Sequence, residues 1–233
     1  VYNFDTESTQ VRNQNSLNTV EAYTNEVQAN IRTRYKSRAN YDEAILYEPD
    51  HIIVGTELHH IIPYHEDIHV IKTQALSVVD TYYLQINVTG LEYVSSAQAL
   101  MGGMSSSNLI GTNTRNITEP AAVYFEMQKD NVDGKDVICC TFNTFGKIDG
   151  IDSDLSVTFD VTTTDGRRVE KTFDITPIFD TQDAKEHHWL ILDDGYELVI
   201  DPPENPGGNK VNGGGGFEPV VEDWEEEHAE ICL

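Results

Sequence analysis

The side chains best suited to chemistry are histidines. His59, His60, His65 and His69 fall close together, with Glu57, Glu66 and Asp67 among them, and His187-His188 form a second pair. Imidazole and carboxylate groups are zinc ligands, and the chemistry such a set would support is metal-assisted hydrolysis. The run His65-Glu66-Asp67-Ile68-His69 has the H-E-x-x-H order, which holds zinc when both histidines lie on one face of a helix. The surrounding segment reads as a turn followed by a strand rather than a helix, so His65 and His69 need not share a face. These residues are expected to be surface and edge histidines, and no metal ligand is assigned. Two acidic clusters come next: Asp130, Asp133 and Asp136 in DNVDGKD, and Asp149, Asp152 and Asp154 in DGIDSD. Calcium prefers oxygen-rich loops, but neither cluster has the EF-hand order, and Asp-Gly makes turns unaided.

Nucleophile and phosphate motifs are absent: the chain has no G-x-S-x-G, no P-loop and no G-x-G-x-x-G. Gly102-Gly103-Met104-Ser105 follows a strand but carries no further signal. Carboxylates are so numerous that no glycosidase pair stands out. No catalytic residue and no cofactor is assigned. Asn87-Val88-Thr89 and Asn116-Ile117-Thr118 match the N-glycosylation pattern and are set aside. Three cysteines are too few for a disulfide framework. Cys139 and Cys140 are adjacent in a strand-like run and should face opposite ways; with Cys232 they are expected to be ordinary thiols.

The net charge of −25 is uneven: residues 1–118 hold 13 acids against 7 bases, and residues 119–233 hold 27 against 8. A surface of that sign repels phosphate backbones, so nucleic acid is excluded as a partner. No apolar run reaches the roughly 18 residues of a membrane-spanning helix.

The elements that must position these groups are mostly strands. Tyr82, Leu84, Ile86 and Val88 alternate with Tyr83, Gln85, Asn87 and Thr89, which predicts a half-buried strand ended by Gly90. A small-residue loop is expected from Ala97 to Ser107, and a polar connector from Asn108 to Pro120. Hairpins follow: Val123, Phe125 and Met127 into KDNVDGKD and out through Ile138, Cys140 and Phe142; then Leu155 to Val161 into Thr164-Asp165-Gly166 and back through Val169, Phe173 and Ile175. Trp189–Leu192 and Glu197–Ile200, flanking Asp193-Asp194-Gly195, read as a third. Earlier in the chain, Val20, Tyr23, Val27 and Ile31 fit either one short helix after Ser16 or a surface loop. Residues 44–54 give two short apolar runs broken by Pro49-Asp50, and Ile68 to Val79 reads as a strand. Residues 201–216 are a Pro/Gly linker, and residues 217–231 an acidic, alternating last strand, protected as an edge by its charge. Many short strands without a long helix predict an all-β protein built as a β-sandwich.

The ordered set YNFDTEST, VTGLEYVSSAQALMGGMSSS, FNTFGK, LSVTFDVTTTDGRRVEKTFDIT and GGGGFEPVVEDWEEEHAEI resembles the fimbrillin-like lipoproteins of Bacteroides, relatives of the minor-fimbria anchor proteins of type V pili. The resemblance implies β-sandwich domains of transthyretin-like topology and a role in fimbrial assembly or adhesion. It also implies outer-membrane attachment through a lipidated cysteine upstream of Val1. The expected division is an incomplete N-terminal β domain over residues 1–57 and a C-terminal sandwich over residues 58–233. The expected function is a non-enzymatic cell-surface fimbrial protein, an anchor, minor or tip subunit. Its expected partners are other fimbrial subunits joined by β-strand addition. Residues 217–231 are the candidate added strand, with pairing inside their own domain as the alternative. A glycan-binding adhesin using Tyr83, Tyr93 or Trp224 is the second reading, and a metal hydrolase on the His59–His69 cluster the third.

Overall fold

The computed structural model describes residues 1–3, 6–35, 42–57, 60–61, 64, 68–148 and 155–203. The first half contributes β1 (Thr9–Arg12), β2 (Glu21–Thr24), α1 (Ala29–Arg34), β3 (Ala44–Tyr47), β4 (Ile53–Gly55), β5 (Ala75–Ser77), β6 (Asp80–Thr89), β7 (Val94–Ser105), β8 (Ser107–Leu109) and β9 (Thr114–Arg115). The second half contributes β10 (Pro120–Val132), β11 (Lys135–Thr144), β12 (Ser156–Thr163), β13 (Arg168–Asp174), α2 (Thr176–Phe179), α3 (Gln182–His187) and β14 (Trp189–Val199).

The all-β sandwich expected from the alternating patterns is what forms. In β6, Tyr82, Leu84, Ile86 and Val88 are buried, as their period of two requires. They face Ala97, Ala99 and Met101 of β7, Phe125 of β10 and Val157, Phe159 and Val161 of β12 in one apolar core. One layer runs β3-β10-β7-β12-β13 and the other β10-β11-β6-β14. Strand β10 belongs to both. Its first part pairs with β7 through Met127, and from Gln128 onward it pairs with β11. A single bent strand thus closes one side of the sandwich, and the Phe125 and Phe142 rings stack 4.1 Å apart beside the bend.

Two of the three hairpins flagged by Asp-Gly are present. The β10–β11 turn places Asp133 and Gly134 at φ 51° and 80°, between the paired Val132 and Lys135. Two consecutive left-handed residues match the right-handed twist of the flanking strands, and Asp-Gly tolerates them best.

Four expectations need correction. The segment Ala97–Ser107 is not a loop but most of β7, paired with β10 on one side and β12 on the other. Its residues fail to alternate because both faces are covered. Ala97, Ala99 and Met101 meet the main core, while Leu100 meets Val27, Tyr35, Ile45 and Ala122 on the outer face. The segments around Asp193-Asp194-Gly195 do not form a hairpin. Both pair with β6, in parallel, and residues 193–196 bulge between Leu192 and Glu197. A strand parallel to its neighbour needs a crossover connection, and α2 and α3 supply it from β13. Val20, Tyr23, Val27 and Ile31 share no helix, since β2 takes the first part and α1 begins at Ala29. Of Ile68–Val79 only Ala75–Ser77 is strand.

A second, smaller core joins Ala22, Ile52, Val54, Val78, Val79, Ile110 and Phe145 beneath the sheet β1-β2-β8-β9. The run Phe142–Lys147 links the two cores: Phe142 enters the larger and Phe145 the smaller. Gly146 follows at φ 98°, and a Cβ there would meet Arg115 Nε at 2.3 Å. The missing side chain lets the Arg115 guanidinium lie across the backbone and reach Asp80 at 2.7 Å.

Candidate interaction surfaces

Strands β13 and β14 end their layers, and each is paired on one side only among the described residues. The two edges approach one another without a ladder. The Phe173 and Tyr196 rings stand 5.5 Å apart, Lys171 Nζ donates to the Glu197 carbonyl at 2.7 Å, and the Tyr196 hydroxyl donates to the Asp174 carbonyl at 3.0 Å. Alternating charge on β13 (Arg168, Glu170, Lys171) and the bulge in β14 are devices that discourage indiscriminate pairing. The edges nonetheless offer backbone N–H and C=O groups along two long strands.

A groove of about 570 Å³ opens between β2, β3 and the start of β10, lined by Arg12, Tyr23, Glu26, Asp42, Glu43 and Glu119. Arg12 lies over the Tyr23 ring, 4.7 Å from its centroid, and pairs with Glu21 at 2.7 Å. That hydrogen bond, working against burial, holds the Glu21 carboxyl below its ordinary value. The remaining carboxylates make the mouth acidic, which suits a basic segment.

A layer that includes Val27 and Tyr35 packs on the outer face, against Leu100 of β7, Ala122 of β10 and Ile45 of β3. Its polar anchor is Asp160 of β12. That carboxylate is fully buried, 2.7 Å from Arg168 Nε and 2.9 Å from Arg34 Nη2. Arg168 also lies over the Tyr35 ring at 5.4 Å. Burial, followed by the Asp160 charge, pushes the Tyr35 hydroxyl far above its usual range.

The residues singled out by their chemistry separate in the structure. His60 and His69 meet in the connection between β4 and β5, with their Nε2 atoms 2.6 Å apart. His59, His65, Glu66, Asp67 and the cluster Asp149, Asp152 and Asp154 lie outside the described residues. Asp130 and Asp136 flank the β10–β11 turn, each hydrogen-bonded to Asn131, with Asp133 in the turn itself. Among the described residues no three His, Cys, Asp or Glu side chains form a metal-holding group. Of the aromatic candidates, Tyr83 and Tyr93 are both half-buried, and Trp224 lies outside the described residues. Burial and a hydrogen bond with Cys139 push the Tyr83 hydroxyl up to about 12. Sequence reasoning missed Trp189, which is 46% exposed on the same face as Tyr83 and 4.9 Å from the His187 ring. An aromatic opening a strand gives no signal of which face it takes. Cys139 and Cys140 are buried on opposite faces and unbonded, as adjacent strand positions require.

The fold and these surfaces define an all-β sandwich with open strand edges and an acidic groove. The chain belongs to the family described as a domain of unknown function (DUF5119), which matches residues 1–126. Over 96% of its length it is 26% identical to a Bacteroides ovatus protein named "Putative fimbrium anchoring subunit Fim4B", of which it covers 71%. Among solved structures, a crystal structure from Bacteroides ovatus described as a "putative adhesin" superposes with a TM-score of 0.62 at 22% identity. That match covers 88% of this chain and 74% of the other, and shows the shared fold. The fimbrial anchor protein Mfa2 from Porphyromonas gingivalis aligns with a TM-score of 0.37 at 11% identity, over 85% of this chain and 63% of that one, and carries no further weight. The resemblance to Bacteroides fimbrial proteins that the sequence presents therefore holds. Among the described residues no helix is long and apolar enough to cross a membrane.

Proposed function

We propose that this chain is a non-enzymatic cell-surface fimbrial protein, an anchor, minor or tip subunit acting in pilus assembly or adhesion. The observation that carries this is its relationship, across nearly its whole length, to a protein named as a fimbrium anchoring subunit. In this reading a lipid group upstream of Val1 holds the protein to the outer membrane, and residues 1–57 are part of an N-terminal β domain. Other fimbrial subunits join it by strand addition. The singly paired edges of β13 and β14 support that mode, because a strand added there satisfies a full row of backbone groups. Residues 217–231 are the strand this chain would lend in turn.

An unboiled SDS gel of the native cell envelope, probed for this chain, tests the assembly. A ladder that collapses on boiling is expected, since a strand shared along its length resists detergent until heated. A single band under both conditions would overturn polymerisation by strand exchange. A second reading, a glycan-binding adhesin, draws on Trp189 and Tyr83, which share one face of β14 and β6. Saccharide binding abolished by Trp189→Ala would support it, and binding unchanged in that variant would remove it.

A further inference from the structure

We propose that His60 and His69 form a binding site for a borderline divalent metal ion of the zinc, nickel or copper class. The site is independent of the fimbrial reading. The chain leaves β4 and returns in β5, and the two are antiparallel with Gly55 opposite Ala75. Thr73 Oγ1 donates to the Thr56 carbonyl at 3.0 Å, which extends the alignment one step further out. The two limbs thereby bring His60 and His69 face to face. Their Nε2 atoms stand 2.6 Å apart and their ring centroids 4.9 Å apart, tilted by 48°.

At that separation the two facing nitrogens share a single hydrogen, so at least one lone pair points directly at its neighbour. A metal ion takes the place of that hydrogen. Glu57 lies on the other side of the His60 ring, with Oε1 4.0 Å from Nδ1. That is beyond hydrogen-bond distance; a carboxylate that closes onto the far nitrogen would fix the tautomer and orientation of a ligating histidine and raise the basicity of the ligating nitrogen. Zinc–nitrogen bonds of about 2.05 Å in tetrahedral array put two nitrogens about 3.3 Å apart, so the rings must part by about 0.7 Å. The contact between the two imidazoles is solvent-exposed.

Two imidazoles favour zinc, nickel or copper over magnesium or calcium, which prefer oxygen ligands. Among the described residues the two imidazoles are joined by no third His, Cys, Asp or Glu ligand. The net charge of −25 raises the local concentration of any cation near it. The bound ion would tie residues 60 and 69 together.

The test is calorimetric titration of zinc chloride, nickel chloride and calcium chloride into the full, tag-free chain carrying Cys232→Ser, which removes the terminal thiol as a competing ligand. One zinc or nickel ion per chain is expected, with no heat from calcium. The double variant His60→Ala/His69→Ala should lose the binding. Glu57→Gln should weaken it roughly tenfold. The double variant His59→Ala/His65→Ala should bind as the parent does. Absence of zinc and nickel binding by the parent overturns the proposal. So does undiminished binding by His60→Ala/His69→Ala, or equal loss in His59→Ala/His65→Ala. Circular dichroism melts of each variant separate loss of ligand from loss of fold.

Discussion

Asp50 offers a quantitative test of how the first strand is held. It follows Pro49 in the turn between β3 and β4, and its carboxylate accepts hydrogen bonds from the backbone N–H groups of Glu7 (3.1 Å), Ser8 (2.8 Å) and Thr9 (2.7 Å). In return the Asp50 N–H donates to Thr9 Oγ1 at 2.7 Å. Burial raises the carboxyl, but the three donors outweigh it and hold Asp50 at about 2, against an ordinary 3.8. At 1.36 kcal/mol for each pH unit, that depression contributes about 2 kcal/mol to folding at neutral pH. The sign follows from which state binds the proton first. Above about pH 4 both states are ionised and the stabilisation is complete. As pH falls from about 4 to about 2 the unfolded chain takes up the proton first, and the contribution disappears.

Asp50→Asn replaces one acceptor oxygen with an amide that faces N–H donors. It should cost about 2 kcal/mol at pH 7, or roughly 4–8 °C in Tm for a chain of this size. Urea unfolding of both proteins at pH 7, 5, 3 and 2 reads the gap directly. The gap should hold between pH 7 and 5 and close by pH 2. A gap that stays constant down to pH 2 would refute the charge-based account and assign Asp50 a packing role. No gap at pH 7 would mean that water satisfies the three N–H groups equally well.

Three further outcomes follow from the packing. Asp160→Ala strips both Arg34 and Arg168 of a fully buried partner. It should cost about 3 kcal/mol in chemical denaturation, with faster amide exchange in residues 27–35, whereas exchange unchanged there would deny the anchoring role of Asp160. Gly146→Ala must place a Cβ 2.3 Å from Arg115 at φ 98°, so a loss of more than about 1 kcal/mol is expected. Arg115→Ala in that background should then restore little, because the backbone strain remains. Burial, reinforced by Glu48, pushes the Cys140 thiol well above its ordinary value. Neither Cys139 nor Cys140 should react with a thiol reagent at pH 8 until urea unfolds the chain, and rapid labelling of the native protein would show that the core around β11 is open.

The elements that could be read from residue order are those whose two faces differ in polarity. Strand β6 alternates because one face meets the core and the other does not, and β12 alternates because Val157, Phe159 and Val161 enter the core while Ser156, Thr158 and Asp160 are buried on the other face. The Asp133-Gly134 turn is legible because few other residue pairs tolerate two consecutive positive φ angles, and the Asp165-Gly166 turn because Gly166 takes φ 82°. β7 was illegible for the opposite reason: its two faces enter two different apolar cores, so apolar residues do not alternate with polar ones, and its small residues mimic a loop. The histidines around residue 60 could be noted for their chemistry. Which of them meet depends on the antiparallel pairing of β4 and β5, and neither strand's residue pattern states its partner.

Composition and local pattern thus settled the all-β class, the acidic surface, two of the three hairpins and the resemblance to fimbrial proteins, since each depends on residues near one another in the chain. Tertiary structure alone decided that β10 serves both layers and that β14 runs parallel to β6 across a bulge. It also decided that Asp160 anchors the outer layer from Arg34 and Arg168, and that His60 faces His69. Most of these join residues far apart in the chain, and the short-range ones, His60 with His69 and Asp160 with Arg168, meet only because strands on either side have paired. Such contacts form because burying a shared apolar surface outweighs the entropy of closing the intervening loops, and that balance belongs to the whole fold rather than to any one segment.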